Sequence, residues 1–281
     1  MSRVVKSKRH ALRPRIGSRT MLAIYALIVI VPITVVVFGS LKTQRQIIVN
    51  PLGPPTDGTL DGYRKVIEVD IIHSLWNSVF VVGFSVSFTL LFASMTAFAV
   101  TRLGGWRSNV LFGFFTAGMA VPAQVNGIQQ YALFKQLHLT NSLHGLVLIN
   151  IAVTLPVAVF ILTGFMKTLP RELFEAGVVD GASPWRLYRS IVMPLSMPSV
   201  AAVAIFLFVM HWNDLYYPLL MITNEAKWTL PRTLTQLRGE FSTDYPALFS
   251  GVVIASAPMV VAYVALQRWF VAGLTSGAVK G

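Results

Sequence analysis

Long apolar runs without any charged residue dominate the pattern of hydrophobic and polar positions along this chain. A helix that crosses a bilayer needs about 20 largely apolar residues, whereas a barrel strand needs about 10 residues of alternating polarity. The runs without Asp, Glu, Lys or Arg that are long enough for such a helix are 20–41, 71–101, 108–134, 136–166, 190–213 and 245–267. The pattern therefore predicts an all-α polytopic membrane protein with six transmembrane helices, which places both termini on the same side.

The composition excludes two other classes of protein. Hydrophobic residues make up 54% of the chain and charged residues 12%, whereas soluble domains carry about 25% charged residues. A water-soluble globule and a disordered chain are therefore excluded. Because the chain has no cysteine, a disulfide, a thiolate metal site and a thiol nucleophile are excluded as well.

Lys and Arg are distributed unevenly between the segments that connect the predicted helices. Residues 1–19 hold seven of them and no acid. If this tail is cytoplasmic, 15 Lys and Arg lie inside and eight lie outside, as the positive-inside rule requires. We therefore expect both termini in the cytoplasm and an uncleaved first helix instead of a signal peptide. The net charge of +12 is then explained by basic cytoplasmic segments that contact anionic lipid. A nucleic-acid partner is not expected.

These observations divide the chain into three parts. Residues 1–19 form a basic cytoplasmic tail, residues 20–271 a single transmembrane domain, and residues 272–281 a cytoplasmic C-terminal tail. A cytoplasmic segment at about 167–197 interrupts the transmembrane domain. The spans are predicted at about 20–41, 73–101, 108–130, 142–166, 198–222 and 247–269.

The segment 167–197 is the longest cytoplasmic connection and carries helix signals of its own. Gly181 is expected to end a first helix because glycine tolerates a positive φ, and Ser183 followed by proline restarts a second helix as its N-cap. Pro194 and Pro198 are expected to end that second helix before the fifth span. Two short helices with uncovered apolar faces call for a protein partner, although a pair lying on the lipid surface is the alternative.

The same segment resembles the EAA loop of ABC importer permeases, whose pattern is E-A-A-x-x-D-G-A followed by an aromatic residue and two prolines. The matching residues are Glu175, Ala176, Asp180, Gly181, Ala182, Pro194 and Pro198, while Gly177 replaces the second alanine and Tyr188 the phenylalanine. The chain also resembles carbohydrate-uptake permeases in four segments: NSVFV (77–81), 119–148, WNDLYYPL (212–219) and the C-terminal RWFVAGLTSGAVKG. From about residue 20 onward, the chain resembles the maltose-type permeases of this binding-protein-dependent family.

The resemblance implies the parts of a complete importer. Two permease subunits, here a heterodimer, form the pore, two ATPase subunits beneath it bind ATP and Mg²⁺, and an extracytoplasmic binding protein delivers the sugar. The chain itself is expected to bind no cofactor and hydrolyse no ATP, because it lacks G-x-x-x-x-G-K followed by Ser or Thr. The implied location is a bacterial or archaeal cell membrane. The residues implied to couple to the ATPase are Glu175, Ala176, Asp180, Gly181, Ala182, Tyr188 and Pro194.

One acidic residue, Asp214, falls inside a predicted span, where ionisable residues are functional candidates by default. His211 lies three residues earlier on the same helical face and could pair with it, and Asn213 would share a face with Tyr216 and Tyr217. Aromatic rings and amides suit a sugar. The candidates for the substrate path are therefore Trp212, Asn213, Asp214, Tyr217, Asn126 and Gln129. The alternative is a structural polar cluster that packs against the partner permease.

Three other functions stay open at this point. An ABC importer for a related solute, such as glycerol phosphate, would carry the same motifs. An ion-coupled secondary transporter would need intramembrane acids or broken helices, and it leaves the coupling loop unexplained, as does a scaffold that transports nothing. A metal site is not expected, because the five histidines are scattered along the sequence.

Overall fold

The computed structural model describes residues 16–120, 122–239 and 243–278. Most of the predicted basic tail and the last three residues of the predicted C-terminal tail lie outside these ranges. Across the described residues every regular element is a helix, apart from an isolated β-bridge between Arg238 and Thr243. The predicted all-helical class is therefore confirmed.

The described part of the chain contains thirteen α-helices, which differ greatly in length. They are α1 Ile16–Gly39, α2 Gln44–Val49, α3 Asp61–Glu68, α4 Ile71–Leu103, α5 Gly105–Gly118, α6 Gly127–Gln136, α7 Leu143–Met166, α8 Arg171–Val179, α9 Pro184–Leu187, α10 Met193–Trp212, α11 Tyr216–Met221, α12 Leu230–Leu234 and α13 Tyr245–Ala278. Short 3₁₀ turns lie at Ala123–Asn126, Glu225–Lys227 and Thr235–Leu237, and a π-helical turn lies at Tyr188–Val192.

Five helical stretches of the described chain are long and apolar enough to cross a membrane. They are Gly17–Gly39, Ile71–Leu103, Leu143–Met166, Pro184–Trp212 and Tyr245–Ala265, and they overlap the predicted spans one, two, four, five and six. The 33 residues of α4 give a length of about 50 Å, which exceeds a hydrocarbon core of about 30 Å. α4 therefore projects beyond the bilayer, and it ends at Gly104, whose φ is 61°.

The third span, predicted at 108–130, is not a continuous helix. α5 ends at Gly118, the chain turns, and a 3₁₀ turn leads into α6. Pro122 favours this break because proline has no N–H for the helical hydrogen bond and its ring collides with the carbonyl four residues earlier. The prediction of one continuous helix over 108–130 is therefore wrong. The total of six crossings stays a prediction.

The contact between α4 and α7 forms the centre of the bundle. Ala93 and Ala97 on α4 and Ala158 on α7 are fully buried. Such small side chains allow two helix backbones to approach closely, which is the main source of helix association inside a bilayer. Leu162 of α7 and Leu207 of α10 extend the same buried cluster, so α10 packs onto this central pair.

The segment between α1 and α4 is attached to the start of α13. The Gln44 side chain donates to the Thr243 carbonyl at 3.0 Å and accepts from the Tyr245 N–H at 3.0 Å. Lys65 of α3 forms an ion pair with Asp244, and this hydrogen bond raises the pKa of Lys65 above its usual value. These contacts fix the two short helices α2 and α3 against the beginning of the last long helix.

α1 lies at the edge of the bundle with most of its apolar side chains exposed. The most apolar stretch of α1 contains no buried residue, whereas half of the residues in the most apolar stretch of α7 are buried. Near its end, Gly39 approaches the Phe249 ring of α13 so closely that a Cβ would overlap it. A helix whose apolar surface is largely exposed is suited to lipid or to another membrane subunit.

Candidate functional site

α8 and α9 form a tight helix–turn–helix at one end of the bundle, as the sequence predicts. The Ala182 N–H donates to the Gly177 carbonyl at 2.9 Å, and the Gly181 N–H donates to the Val178 carbonyl at 3.0 Å. Gly181 has a φ of 72°. This is a Schellman cap, in which the left-handed residue reverses the chain and satisfies the last carbonyls of the helix. Ser183 then caps the start of α9 with its side chain.

Tyr188 joins this helix pair to the bundle. Its hydroxyl lies 2.8 Å from Ser94 Oγ of α4, and its ring lies 5.5 Å from the Phe98 ring. The side chain is buried, so the aromatic position of the motif faces α4 and is not available to a partner. Gly177 approaches Leu187 so closely that a Cβ there would overlap the leucine side chain. Glycine at this motif position therefore allows α8 and α9 to pack in contact.

The helix pair exposes four large apolar side chains, here called the coupling face: Leu173, Val178, Val179 and Trp185. Val179 is 86% exposed and Trp185 is 55% exposed. Several large apolar groups exposed on so short a helix pair favour an interaction surface, because water solvates them poorly. The motif residues in the same segment are exposed or half-buried, and they are Glu175, Ala176, Asp180, Gly181 and Ala182.

The helix that starts at Pro184 does not stop at Pro194 or Pro198, which contradicts the prediction. A continuous helical stretch runs from Pro184 to Trp212. The π-helical turn lies just before Pro194, and there the Met193 N–H donates to the Tyr188 carbonyl, five residues earlier. Such a wide turn accommodates a proline that has no N–H of its own. The second short helix is therefore the beginning of the fifth long helix.

A second candidate region is the break between α10 and α11. Asp214 lies in this break, and its Oδ1 accepts the backbone N–H groups of Tyr216 at 3.0 Å and Tyr217 at 3.4 Å. The carboxylate therefore caps the N-terminus of α11, a place where helices favour negative groups. The predicted fifth span, 198–222, is interrupted at this point.

α11 is tied to the other broken region, between α5 and α6. The Tyr216 hydroxyl donates to the Gln124 carbonyl at 3.0 Å, and the Tyr217 hydroxyl donates to Gln130 Oε1 at 3.1 Å. Gly127 lies against the Tyr216 hydroxyl, where a Cβ would collide with it. Gln130 was not among the predicted residues, although its position four residues after Asn126 places it on the same helical face.

The other substrate-path candidates are separated from this contact. Trp212 is buried, and its Nε1 donates to the Ala255 carbonyl at 3.0 Å. Asn213 is exposed, and its Nδ2 donates to the Val209 carbonyl at 2.8 Å, so it does not share a face with the two tyrosines as predicted. Asn126 is half-buried in the first break, and Gln129 is exposed on α6.

His211 and Asp214 line a small cavity, whose other polar side chains are Ser78, Asn150 and Thr229. Its volume of about 10 Å³ is close to the space that one water molecule needs. His211 is buried, and its Nε2 lies 3.3 Å from Thr154 Oγ1. The described chain shows no ion pair between His211 and Asp214, so the predicted pairing is not formed. It also shows no group of three side chains suited to a metal ion.

Residues 89–276 match the family described as the inner membrane component of binding-protein-dependent transport systems. The chain belongs to this family. It is 34% identical to a putative ABC transporter permease, ORF2, of Caldicellulosiruptor sp. (strain Rt8B.4), over 92% of this chain and 95% of that protein.

Two further similarities extend over most of the length of this family member. It is 28% identical to the diacetylchitobiose uptake system permease NgcG of Streptomyces coelicolor, over 94% of this chain and 88% of that protein. The fold is similar to a crystal structure of a bacterial ABC transporter involved in the import of the acidic polysaccharide alginate. That match has a TM-score of 0.78 and 18% identity, and it covers 91% of this chain and 95% of the other.

Proposed function

We propose that the chain is a permease subunit of an ATP-driven importer for a sugar or oligosaccharide that an extracytoplasmic binding protein delivers. A second, different permease would complete the pore, and two ATPase subunits would bind ATP and Mg²⁺ on the cytoplasmic side. The observation that carries the proposal is the coupling face on a helix–turn–helix within a chain of this family. Relatives named for diacetylchitobiose and for multiple sugars support the substrate class.

The coupling face would seat on the ATPase subunit, with both termini of the chain in the cytoplasm. Exposed Glu175 would offer its carboxylate to a basic group of that subunit, and Val179 and Trp185 would supply apolar contact. Movement of the ATPase would reach the bundle by two connections. One is the buried contact of Tyr188 with Ser94, and the other is the uninterrupted helix that follows.

Among the substrate-path candidates, two different roles follow from burial and bonding. Asn213 and Gln129 are exposed, so we infer that the amide of Gln129 and the amide oxygen of Asn213 are available to sugar hydroxyls. Asp214 caps α11, Tyr217 joins the two broken regions, and Trp212 holds α10 to α13. Substitution of the first pair should therefore change uptake kinetics, whereas substitution of the second group should first change stability.

The broken helices also meet one requirement of an ion-coupled transporter, which needs interrupted helices at its ion site. Such a carrier would leave the coupling face without a partner, and it would be a departure from the family of this chain. Purification of the tagged chain in mild detergent, with the co-purified proteins identified by mass, distinguishes the two. We expect a second permease and an ATPase; a homo-oligomer without an ATPase would overturn the proposal.

The coupling role can be tested on one helix with a matched pair of variants. Glu175→Ala and Glu172→Ala each remove one exposed carboxylate from α8. Glu175→Ala should weaken ATPase retention and sugar-stimulated ATP hydrolysis, while the control should retain both. Equal effects of the two substitutions would show that general charge, and not the motif position, matters.

A further inference from the structure

A basic cavity lies where α4 and α7 end and α8 begins. Its volume is about 320 Å³, within the size range of small-ligand sites. Three cationic side chains line it, Arg102, Lys167 and Arg171, and Glu175 is the one acid in its lining. The lining therefore carries an excess of two positive charges.

Two of the three cations of the basic cavity lie over aromatic rings, which do not neutralise them. The Arg102 guanidinium lies 5.2 Å from the centre of the Phe174 ring, and Lys167 Nζ lies 4.8 Å from the centre of the Phe112 ring. An aromatic face attracts a cation without cancelling its charge. In the part of the chain that the structure describes, the ion pairs involve α3 and not this cavity. They are Arg64–Asp61 and Lys65–Asp244.

The backbone around the cavity also favours an anion. α8 begins at Arg171, directly after Pro170, which provides no side-chain hydrogen bond to the first N–H groups of the helix. Free N–H groups at a helix start attract negative groups. Phe112 stacks on Phe160 of α7 at 6.0 Å, and Phe160 is 47% exposed. A charged cavity therefore adjoins an apolar surface at the level where two long helices leave the bilayer.

We propose that the basic cavity binds the phosphate of an anionic phospholipid of the phosphatidylglycerol type. Basic pockets between transmembrane helices on the cytoplasmic side take such head groups. The adjoining surface of Phe112 and Phe160 suits an acyl chain, whereas a carboxylate from a protein partner would leave it uncovered. The bound lipid would fill the junction between the bundle and α8. The proposal rests on the proposed cytoplasmic orientation of this end, and it is independent of the solute.

The test compares two double variants that lose the same charge. Arg102→Gln with Lys167→Gln changes the cavity, while Arg107→Gln with Arg186→Gln changes exposed arginines outside its lining. The chain is purified with its co-purifying subunits in phosphatidylcholine nanodiscs that contain a minor fraction of phosphatidylglycerol. Native mass spectrometry counts the retained phosphatidylglycerol. The cavity variant should retain it about fivefold less for each cation removed, and the control should match the wild type.

Arg171→Gln tests the same site without disturbing the packing of an aromatic ring. It should lower phosphatidylglycerol retention about fivefold while helix content stays unchanged. Equal loss in the control pair would overturn the proposal in favour of diffuse surface charge. Displacement of the lipid by inorganic phosphate would identify free phosphate as the occupant instead. Exclusion of the lipid when an ATPase binds would assign the cavity to that protein. Lipid retention without any co-purified ATPase would contradict the importer and leave this proposal intact.

Discussion

The hydroxyl of Tyr188 provides a direct test of how the helix pair is attached to the bundle. Ser94 Oγ donates to the Leu91 carbonyl at 3.0 Å, and the Tyr188 hydroxyl lies 2.8 Å from the same Oγ. Because Ser94 has one hydrogen to give, Tyr188 is the donor in their shared bond. Tyr188→Phe removes this donor and keeps the ring that packs on Phe98.

The expected magnitude follows from what the substitution leaves behind. Ser94 keeps its bond to the Leu91 carbonyl, so no buried donor becomes unsatisfied. Hydrogen bonds between membrane helices contribute about 0.6 kcal/mol on average, with a maximum of about 1.7 kcal/mol. Tyr188→Phe should therefore lower the free energy of unfolding by about 0.6–1.7 kcal/mol. Tyr188→Ala also removes a buried ring and should lower it by about 3–5 kcal/mol.

The assay is a double-mutant cycle with Ser94→Ala, followed by circular dichroism during unfolding in mixed micelles that contain a denaturing detergent. The coupling energy between the two positions should be at least the loss that Tyr188→Phe causes alone, because Ser94→Ala leaves the buried Tyr188 hydroxyl without its acceptor. If the cycle gives no coupling energy while Tyr188→Ala is strongly destabilising, the reasoning is refuted. The ring alone would then attach the helix pair to α4.

Three further predictions concern the turn, the break and the attachment of α3. Gly181→Ala should lower the free energy of unfolding by about 1–2 kcal/mol, measured by thermal unfolding, because its φ is left-handed. Gly113→Ala, where a Cβ would meet no neighbouring atom, should raise it by up to about 1 kcal/mol. Asp214→Ala should lower the free energy of unfolding by about 1 kcal/mol, because the cap of α11 is lost. Asp214→Asn keeps an accepting oxygen and should lower it much less in the same assay. Asp244 raises the pKa of Lys65, so this ion pair stabilises fully below the usual value of 10.5 and is lost as pH rises through the raised pKa. Because Lys65 is half exposed, solvent screening should keep the change below about 1 kcal/mol, and Lys65→Met should abolish it in unfolding scans across that pH range.

Features that depend on neighbouring residues were predictable from the sequence. The turn after α8 needs a residue that adopts a positive φ, and Gly181 is the residue that meets this need without strain. The start of α9 needs a side-chain acceptor, which Ser183 supplies. The length of the apolar runs likewise predicted where five long helices lie, because bilayer thickness sets that length.

Features that depend on tertiary contacts were not predictable in this way. Apolar length does not reveal a break inside a run, so the interruption after Gly118 was missed although Pro122 lies there. Pro194 was predicted to end the second short helix, but a π-helical turn accommodates the proline and the helix continues. The contact of Tyr217 with Gln130 joins positions 87 residues apart, and no local pattern identifies it. Hydrophobic periodicity and cap signals describe short segments, whereas these contacts depend on how the segments pack.

The two candidate regions are connected by one element. The helical stretch from Pro184 to Trp212 has 29 residues and is therefore about 43 Å long. In the proposed importer, a movement of the coupling face at its start would be transmitted along this stretch toward the break at Asp214, since the stretch contains a π-helical turn but no interruption. The break itself is held by the Asp214 cap and by the hydroxyls of Tyr216 and Tyr217, each contributing about 1 kcal/mol. Their sum is close to the coupling energies of about 1–3 kcal/mol that link distant sites in proteins. In the proposed importer, the free energy needed to rearrange the break would therefore be of the size that a partner bound at the coupling face could supply.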